Sequence, residues 1–312
     1  MKKLRVLLSL TTNDNDYQIE QASAAEEAAK RLGLDLEIIF ADNDAITQSQ
    51  QLLKVIQSSS TTPPDAIIFE PAGATALPQV ARAAAAAGIG WIVVNKDVDY
   101  ISELRRTCRV PMFCITSDHE EIGRIQGQQL AALLPKGGSV LYIQGPAESS
   151  AARQRSSGFY ETKPGDLQVR TLKAQWTEAS ANKAVSAWLR LSTSREMKID
   201  AIAAQDDSMA MGARKAIQEH LSGVDRERWL ALPFLGCDGL PKTGQAWVHS
   251  RLLAATVIVP TNTDLALEVL AKAMQSGAQP PERKMTVPKS FPSLEVLAGH
   301  RLERGAGAGH GH

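Results

Sequence analysis

The chain alternates between short apolar runs and longer stretches in which an apolar residue recurs every three or four positions. In the first third, the apolar runs are LRVLLSL (4–10), LDLEIIF (34–40), DAIIFEP (65–71) and IGWIVVN (89–95), and the helical patterns between them cover 18–33, 45–57 and 76–88. Continuous runs rich in Ile and Val are typical of parallel strands that helices cover on both faces. The pattern therefore predicts an α/β fold of successive βαβ units.

The same alternation then begins again. The later apolar runs are MFCITS (112–117), SVLYIQG (139–145), DLQVRTLKAQ (166–175) and IDAIAAQ (199–205), and helical patterns occupy 120–138, 150–161 and 181–191. Two successive sets of strand–helix units, similar in size, predict two Rossmann-like, doubly wound lobes with a boundary near Ser117 and Asp118. Residues 252–277 supply a further strand and helix, and the Gly-rich tail at 301–312 is expected to be disordered.

Composition narrows the classes of function. The 312 residues include 34 basic and 34 acidic side chains, so no excess of positive charge is present to neutralise phosphates, and no nucleic-acid partner is expected. Cys108, Cys114 and Cys237 have no metal-ligand spacing, and the six histidines contain no H-E-x-x-H motif. We therefore expect no metal and no cofactor. The cysteines are expected to be buried reduced thiols, with a Cys108–Cys114 bridge as the alternative in an exported protein.

The first residues, MKKLRVLLSL, place basic side chains before an apolar run. That run has the length of a strand, no A-x-A-like cleavage site follows it, and no segment reaches the roughly 18 apolar residues that span a bilayer. We interpret it as the first strand of the fold. Two localisations stay open: periplasmic or extracytoplasmic if a signal peptide was removed from the protein, and cytoplasmic otherwise.

Polar residues follow almost every predicted strand at its carboxyl end, where ligands bind in parallel α/β sheets. These segments are TTNDNDY (11–17), NKD (95–97), PAESSAARQR (146–155), DDS (206–208) and DGLP (238–241). Carboxylates, amides and a guanidinium exchange hydrogen bonds with hydroxyl groups, and aromatic faces stack on the C–H faces of a sugar ring. The composition of these segments favours a polyhydroxylated solute.

Several of these segments resemble the periplasmic sugar-binding proteins of the ribose-binding type, a family of substrate-binding proteins of ABC transporters with the type I periplasmic-binding-protein fold. The matching segments are LYIQGPAESSAARQRSSGF, AAQDDSMAMGARKAI, FLGCDGLPKTG and LLAATVIVP, and the resemblance runs in order from about Leu4 to Leu297. It implies two similar lobes joined by a three-segment hinge. On that basis we divide the chain into 1–117 plus 260–289 and 118–259 plus 290–300.

The resemblance also implies the function and the site. It predicts a non-catalytic, monomeric solute-binding protein that closes on a sugar or polyol and passes it to an ABC transporter permease or a membrane sensor. The ligand-binding residues that it implies are Asn15, Tyr17, Asn95, Lys96, Arg155, Trp176, Asp206 and Asp238, with Tyr17 and Trp176 as aromatic walls. No residue is expected to be catalytic.

The neighbouring carboxyls of Asp206 and Asp207 could be a general acid and base or a helix cap beside a ligand contact. The resemblance favours the second interpretation, with Asp207 as the N-cap and Asp206 directed at the ligand. The family pattern has Asn at 206, Asp-Arg at 95–96 and Gln at 259, where this chain has Asp206, Asn95-Lys96 and Val259. These differences predict a hydroxyl pattern other than that of ribose: another aldose, a cyclitol or a cationic amino sugar.

Two other functions are alternatives to transport. A cytoplasmic sugar-sensing regulatory protein would have the same fold and read the same ligands. A sugar-acting enzyme would use Asp206 and Asp207 as an acid pair, but the sequence contains no nucleophile elbow, P-loop or metal motif to support it.

Overall fold

The computed structural model describes residues 3–59, 62–73, 76–192, 194 and 197–299. The predicted disordered tail, 301–312, lies outside the described residues. The chain divides into two units: unit 1 runs up to Ser117 and resumes over Pro260–Thr286, and unit 2 comprises Asp118–Val259 and continues from Val287. The chain therefore passes between the units three times, after residues 117, 259 and 286.

Strands and helices alternate along most of the described residues. The strands are β1 (Arg5–Leu10), β2 (Asp35–Phe40), β3 (Ala66–Phe69), β4 (Gly90–Val94), β5 (Met112–Ser117), β6 (Gly138–Gln144), β7 (Leu167–Lys173), β8 (Ala201–Ala204), β9 (Phe234–Leu235), β10 (Thr256–Ile258), β11 (Arg283–Thr286) and β12 (Lys289–Phe291). The α-helices are α1 (Asp16–Leu32), α2 (Ala45–Ile56), α3 (Pro78–Ala86), α4 (Tyr100–Thr107), α5 (His119–Leu133), α6 (Ser150–Thr162), α7 (Glu178–Leu189), α8 (Asp207–His220), α9 (Gly223–Leu230), α10 (Ala246–His249) and α11 (Thr263–Ser276). A π-helical turn, Pro241–Gln245, precedes α10.

Unit 1 is built on a six-stranded parallel sheet in the order β11-β5-β4-β3-β1-β2. The inner strands β3, β4 and β5 are buried along their whole length, in keeping with their largely apolar sequences, whereas the edge strand β2 is only partly buried. Alternate residues contribute to two cores. Leu8 and Ile68 face α1 and α11, and Leu7 and Trp91 lie in the core with α3 and α4.

Unit 2 repeats this order in a four-stranded parallel sheet, β7-β6-β8-β9. Strands β10 and β12, which are distant in the sequence, form a separate antiparallel pair. An isolated bridge between Asp238 and Ile258 places the turn after β9 beside β10. Helices α5 and α6 touch backbone to backbone. A Cβ at Gly123 would lie 2.0 Å from the carbonyl oxygen of Arg155, and one at Gly158 would lie 1.9 Å from that of Glu120.

The strand order defines one switch point in each unit. In unit 1 the connections reverse between β1 and β3, and in unit 2 they reverse between β6 and β8. The crevice outside the carboxyl ends of such strands is the usual place for a ligand in an open α/β sheet. Within the described ranges, none of the helices has the length and apolar character that a membrane crossing needs.

Candidate functional site

In unit 1, the loop after β1 brings two predicted ligand residues to the switch point. Asn15 is the N-cap of α1, and its side-chain oxygen accepts the N–H of Gln18 at 3.2 Å. Tyr17 is buried, and its hydroxyl donates to the carbonyl oxygen of Pro260 at 3.2 Å. Pro260 is the first residue after the second passage between units, so the hydroxyl of Tyr17 anchors this segment.

A buried carboxylate connects the first turn of α1 with the loops after β3 and β4. Glu70 follows β3 and is 6% exposed; one oxygen accepts from Nε2 of Gln18 and the other from Nδ2 of Asn95, both at 2.9 Å. Asn95 has φ 59°, a left-handed conformation that Asn tolerates better than most residues. Glu70 thus fixes the position of Asn95 at the carboxyl end of the sheet.

Lys96 lies beside this network and is held by backbone oxygens. Its ammonium donates to the carbonyl oxygens of Pro71 at 2.6 Å and Gly73 at 3.1 Å. Burial lowers the pKa of Lys96, and the charge of Glu70 acts in the opposite direction. The side chain therefore fastens the loop after β3, a role that the sequence alone did not indicate.

In unit 2, Arg155 is the centre of the predicted site. It projects from α6 with 5% exposure; Nη1 donates to the carbonyl oxygen of Gln205, and Nη2 lies 3.9 Å from Oδ1 of Asp238. Its Cζ lies 5.4 Å from the centroid of the Trp176 ring, within the range of a cation–π contact. Three of the predicted residues, Arg155, Trp176 and Asp238, are thus brought together.

The ring of Trp176 packs against Gly145 at the end of β6. A Cβ at Gly145 would lie 2.3 Å from the indole ring, so only glycine fits there. Trp176 has φ 59°, and Asp238 has φ 106°. A bulky or branched residue in this region costs about 1–3 kcal/mol, and such conformations cluster at functional sites. The backbone holds both side chains in place at an energetic cost.

The roles predicted for Asp206 and Asp207 need a correction. Asp206 is the N-cap of α8, and its Oδ1 accepts the N–H of Met209 at 3.0 Å. Asp207, predicted to be the cap, instead donates its N–H to the carbonyl oxygen of Cys237 at 2.7 Å and turns its carboxyl into the interior of unit 2. Because of this tertiary bond the helix begins at Asp207, and Asp206 occupies the N-cap position.

Two buried polar residues in unit 2 went unnoticed in the sequence. Gln205 directly follows β8; its amide nitrogen lies within hydrogen-bond distance of the oxygens of Tyr142, Ala152 and Ser156, and its oxygen accepts the N–H of Gly145 at 2.9 Å. His119 is buried at the start of α5, with Nδ1 3.5 Å from Nε of Arg155. The sequence offers one signal for each residue: an apolar run that ends in Gln, and a His at the start of a predicted helix.

Further observations bear on the chemistry of the site. The described residues contain no group of three or more His, Cys, Asp or Glu side chains arranged to hold a metal ion. Val259 is buried, and its N–H donates to the carbonyl oxygen of Asp238 at 3.0 Å. The three cysteines have free thiols; Cys114 and Cys237 are buried, and burial raises the pKa of both. The arrangement offers hydrogen-bonding groups and one stacking ring for a polar solute.

Comparison with known proteins places this geometry in a family. The model of the periplasmic binding protein domain matches residues 6–278. The ribose import binding protein RbsB of Bacillus subtilis is 27% identical over 82% of this chain and 76% of its own length. The galactofuranose-binding protein YtfQ of Escherichia coli is 23% identical over 98% of this chain and 93% of its own length.

A solved structure shows the same fold. The Caulobacter myo-inositol binding protein superposes with a TM-score of 0.77 at 19% identity, over 95% of both chains. The predicted α/β architecture and the resemblance to the ribose-binding type are therefore confirmed. The chain belongs to the periplasmic binding protein domain family, and its relatives include one protein named for ribose import and one named for galactofuranose binding.

Proposed function

We propose that this protein is a non-catalytic solute-binding protein for a small polyhydroxylated ligand, a monosaccharide or a related polyol. The observation that carries the proposal is the cluster in unit 2, where a buried guanidinium, a carboxyl and an indole ring meet at the carboxyl ends of parallel strands. Arg donates several hydrogen bonds in a fixed plane, a carboxyl accepts them, and a ring stacks on C–H groups. This is the chemistry that a sugar ring requires.

Each unit contributes its own contacts in this proposal, and the units close on the ligand. Unit 1 offers Asn15, Tyr17, Asn95 and Lys96, and unit 2 offers Arg155, Trp176, Asp206 and Asp238. Support comes from the relatives, which are named for ribose and galactofuranose, and from a similar structure named for myo-inositol. The protein delivers the ligand as a monomer to an ABC transporter permease or a membrane sensor outside the cytoplasm, as the periplasmic family suggests.

The hydrogen bonds around Glu70 narrow the range of possible ligands. Asn95 gives its amide to Glu70, and the Lys96 ammonium is engaged by backbone carbonyls, so this edge of unit 1 offers fewer charged donors than the Asp-Arg pair of the ribose-binding type. With Asp206 in place of Asn, the site gains an acceptor. We propose a ligand rich in hydroxyl or ammonium donors, such as a cyclitol, an aldose other than ribose or an amino sugar.

A thermal-shift screen with a matched pair of variants tests this function. The panel contains D-ribose, D-allose, L-arabinose, D-galactose, myo-inositol and D-glucosamine. A ligand that binds only the folded state adds about 2.7 kcal/mol of stability at a hundredfold excess over Kd. Arg155→Ala should abolish the shift, whereas Arg153→Ala, an exposed arginine on the same helix, should keep it. A shift that survives Arg155→Ala, or a panel without any shift, would overturn the proposal.

A further inference from the structure

Asp207 is a buried acid that the proposed ligand contacts do not use. It is 3% exposed and lies at the first position of α8, directly after Asp206. Oδ2 accepts the N–H of Gly239 at 2.8 Å, and Oδ1 lies 2.7 Å from the hydroxyl of Thr256. The carboxyl thus joins three segments of unit 2: the start of α8, the turn after β9 and strand β10.

The surrounding backbone is shaped around this carboxyl. A Cβ added to Gly236 or to Gly244 would lie 2.0 Å from one of its oxygens, so glycine is required on both sides. Asp238 stands in the middle of the enclosed turn at φ 106°, an uncommon conformation that needs support from its neighbours. The N–H that Asp207 accepts belongs to the next residue, Gly239.

We propose that Asp207 is a positioning residue, whose carboxyl holds the 236–239 turn so that Asp238 faces the solute, and that its ionisation weakens solute binding at alkaline pH. The proposal rests on the solute-binding function proposed above. In the ionised carboxyl, Oδ2 accepts from Gly239 and Oδ1 accepts from the Thr256 hydroxyl. A carboxyl protonated on Oδ1 keeps both bonds, because Oδ2 still accepts from Gly239 and the new hydroxyl donates to the Thr256 oxygen. An asparagine presents the same pattern, with a carbonyl oxygen and an NH₂ group.

Ionisation changes the charge of the cluster. Burial raises the pKa of Asp207 to about 8, against the effects of its bonds to Thr256 and Gly239 and of the charge of Arg155. The charged or titratable groups that face it are Asp206 on its own helix, Arg155 on α6, and Cys237 and Asp238 on the turn; Lys242 on the π-helical turn is exposed. A bound solute excludes water, which strengthens repulsion among the carboxylates and favours the neutral form of Asp207.

The test measures solute affinity by calorimetry from pH 6 to pH 9.5 with the panel sugar or polyol that gives the largest thermal shift. For the wild type, Kd should rise about fivefold between pH 7 and pH 9, which corresponds to a pKa of Asp207 near 8 in the free protein and about one unit higher in the bound protein. Asp207→Asn should bind like the wild type at pH 6.5 and lose this pH dependence. Asp207→Ala should bind at least tenfold more weakly at every pH.

Asp200 provides the matched control, because its Oδ2 also accepts a backbone N–H, that of Ser139, at the opposite end of β8. Asp200→Asn should keep the wild-type pH profile. An Asp207→Asn profile that still follows the wild type, or an Asp207→Ala variant with unchanged affinity, would overturn the proposal.

A measurement without ligand separates this proposal from the proposed function. Hydrogen exchange of the 236–240 segment at pH 7 should be faster in Asp207→Ala than in the wild type, because the Gly239 N–H loses its acceptor, and Asp207→Asn should restore protection. Equal exchange in all three would refute the positioning role even if a sugar binds. If no panel member binds while this exchange pattern holds, the proposed function fails and the support of the turn by Asp207 stands.

Discussion

Replacing Gly123 with alanine should separate the two helices that hold Arg155 in place. The new Cβ would lie 2.0 Å from the carbonyl oxygen of Arg155 and 2.7 Å from the backbone nitrogen of Phe159. Ordinary contacts begin near 3.4 Å, so α6 must move away from α5 by about 1 Å or more. Because α6 carries Arg155, the guanidinium moves with it.

The magnitude follows from two opposing contributions to the free energy of unfolding. Gly→Ala inside a helix gains about 1 kcal/mol, while overpacking costs about 1–3 kcal/mol and more when backbone atoms collide. We expect a net loss of about 2 kcal/mol, which lowers Tm by about 4–8 °C in a unit of this size. Displacing one charged hydrogen bond to the solute adds about 1.5–3 kcal/mol, so Kd should rise at least tenfold.

Calorimetric unfolding and solute titration of the same samples provide the assay. Gly165→Ala is the control, since no atom lies within 4 Å of the position of its Cβ, and we expect less than about 0.5 kcal/mol of change. If Gly123→Ala is as stable as the wild type and binds as tightly, the close contact between α5 and α6 does not position Arg155.

Three further predictions concern stability. Because the pKa of Asp207 is raised to about 8, the free energy of unfolding should fall as pH rises from about 4 to about 8. This contribution to stability is fully present below pH 4 and is lost by about pH 8. In urea unfolding, the wild type should lose about 4 kcal/mol between pH 5 and pH 8 that Asp207→Asn does not lose. Lys96→Met leaves the carbonyl oxygens of Pro71 and Gly73 without their donor and should cost about 1–3 kcal/mol in thermal unfolding, with faster hydrogen exchange after β3. Leu52→Ala in the core should cost about 2–5 kcal/mol in urea unfolding, whereas Ile46→Ala on the same helix, 67% exposed, should change it by less than about 0.5 kcal/mol.

The apolar runs predicted the sheets because in parallel strands burial on both faces leaves little choice of residue. Runs such as 89–95 and 112–117 correspond to β4 and β5 within one or two residues. The short helices α4 and α9 were missed: neither has a side-chain hydrogen bond at its N-cap, and α9 begins at Gly223, which disfavours a helix.

In the candidate site, the roles of several residues depend on contacts between segments that are distant in the sequence. Adjacent carboxyls at 206 and 207 predicted a helix start correctly, but which of them caps it depends on a bond between Asp207 and Cys237, thirty residues further along the chain. The contact of Gly145 with Trp176 likewise joins two segments whose proximity only the folded sheet creates. Motif spacing predicted which residues form the candidate site, and tertiary hydrogen bonds determine which of Asp206 and Asp207 caps the helix.

Isothermal titration of the wild-type protein with the sugar and polyol panel, followed by analysis of the recovered solute, tests the central claim most directly. The account predicts binding of one solute molecule per chain for at least one panel member, and recovery of that solute chemically unchanged after prolonged incubation. Absence of heat from every panel member would contradict a sugar-binding function, and conversion of the solute to a product would show that the protein is an enzyme.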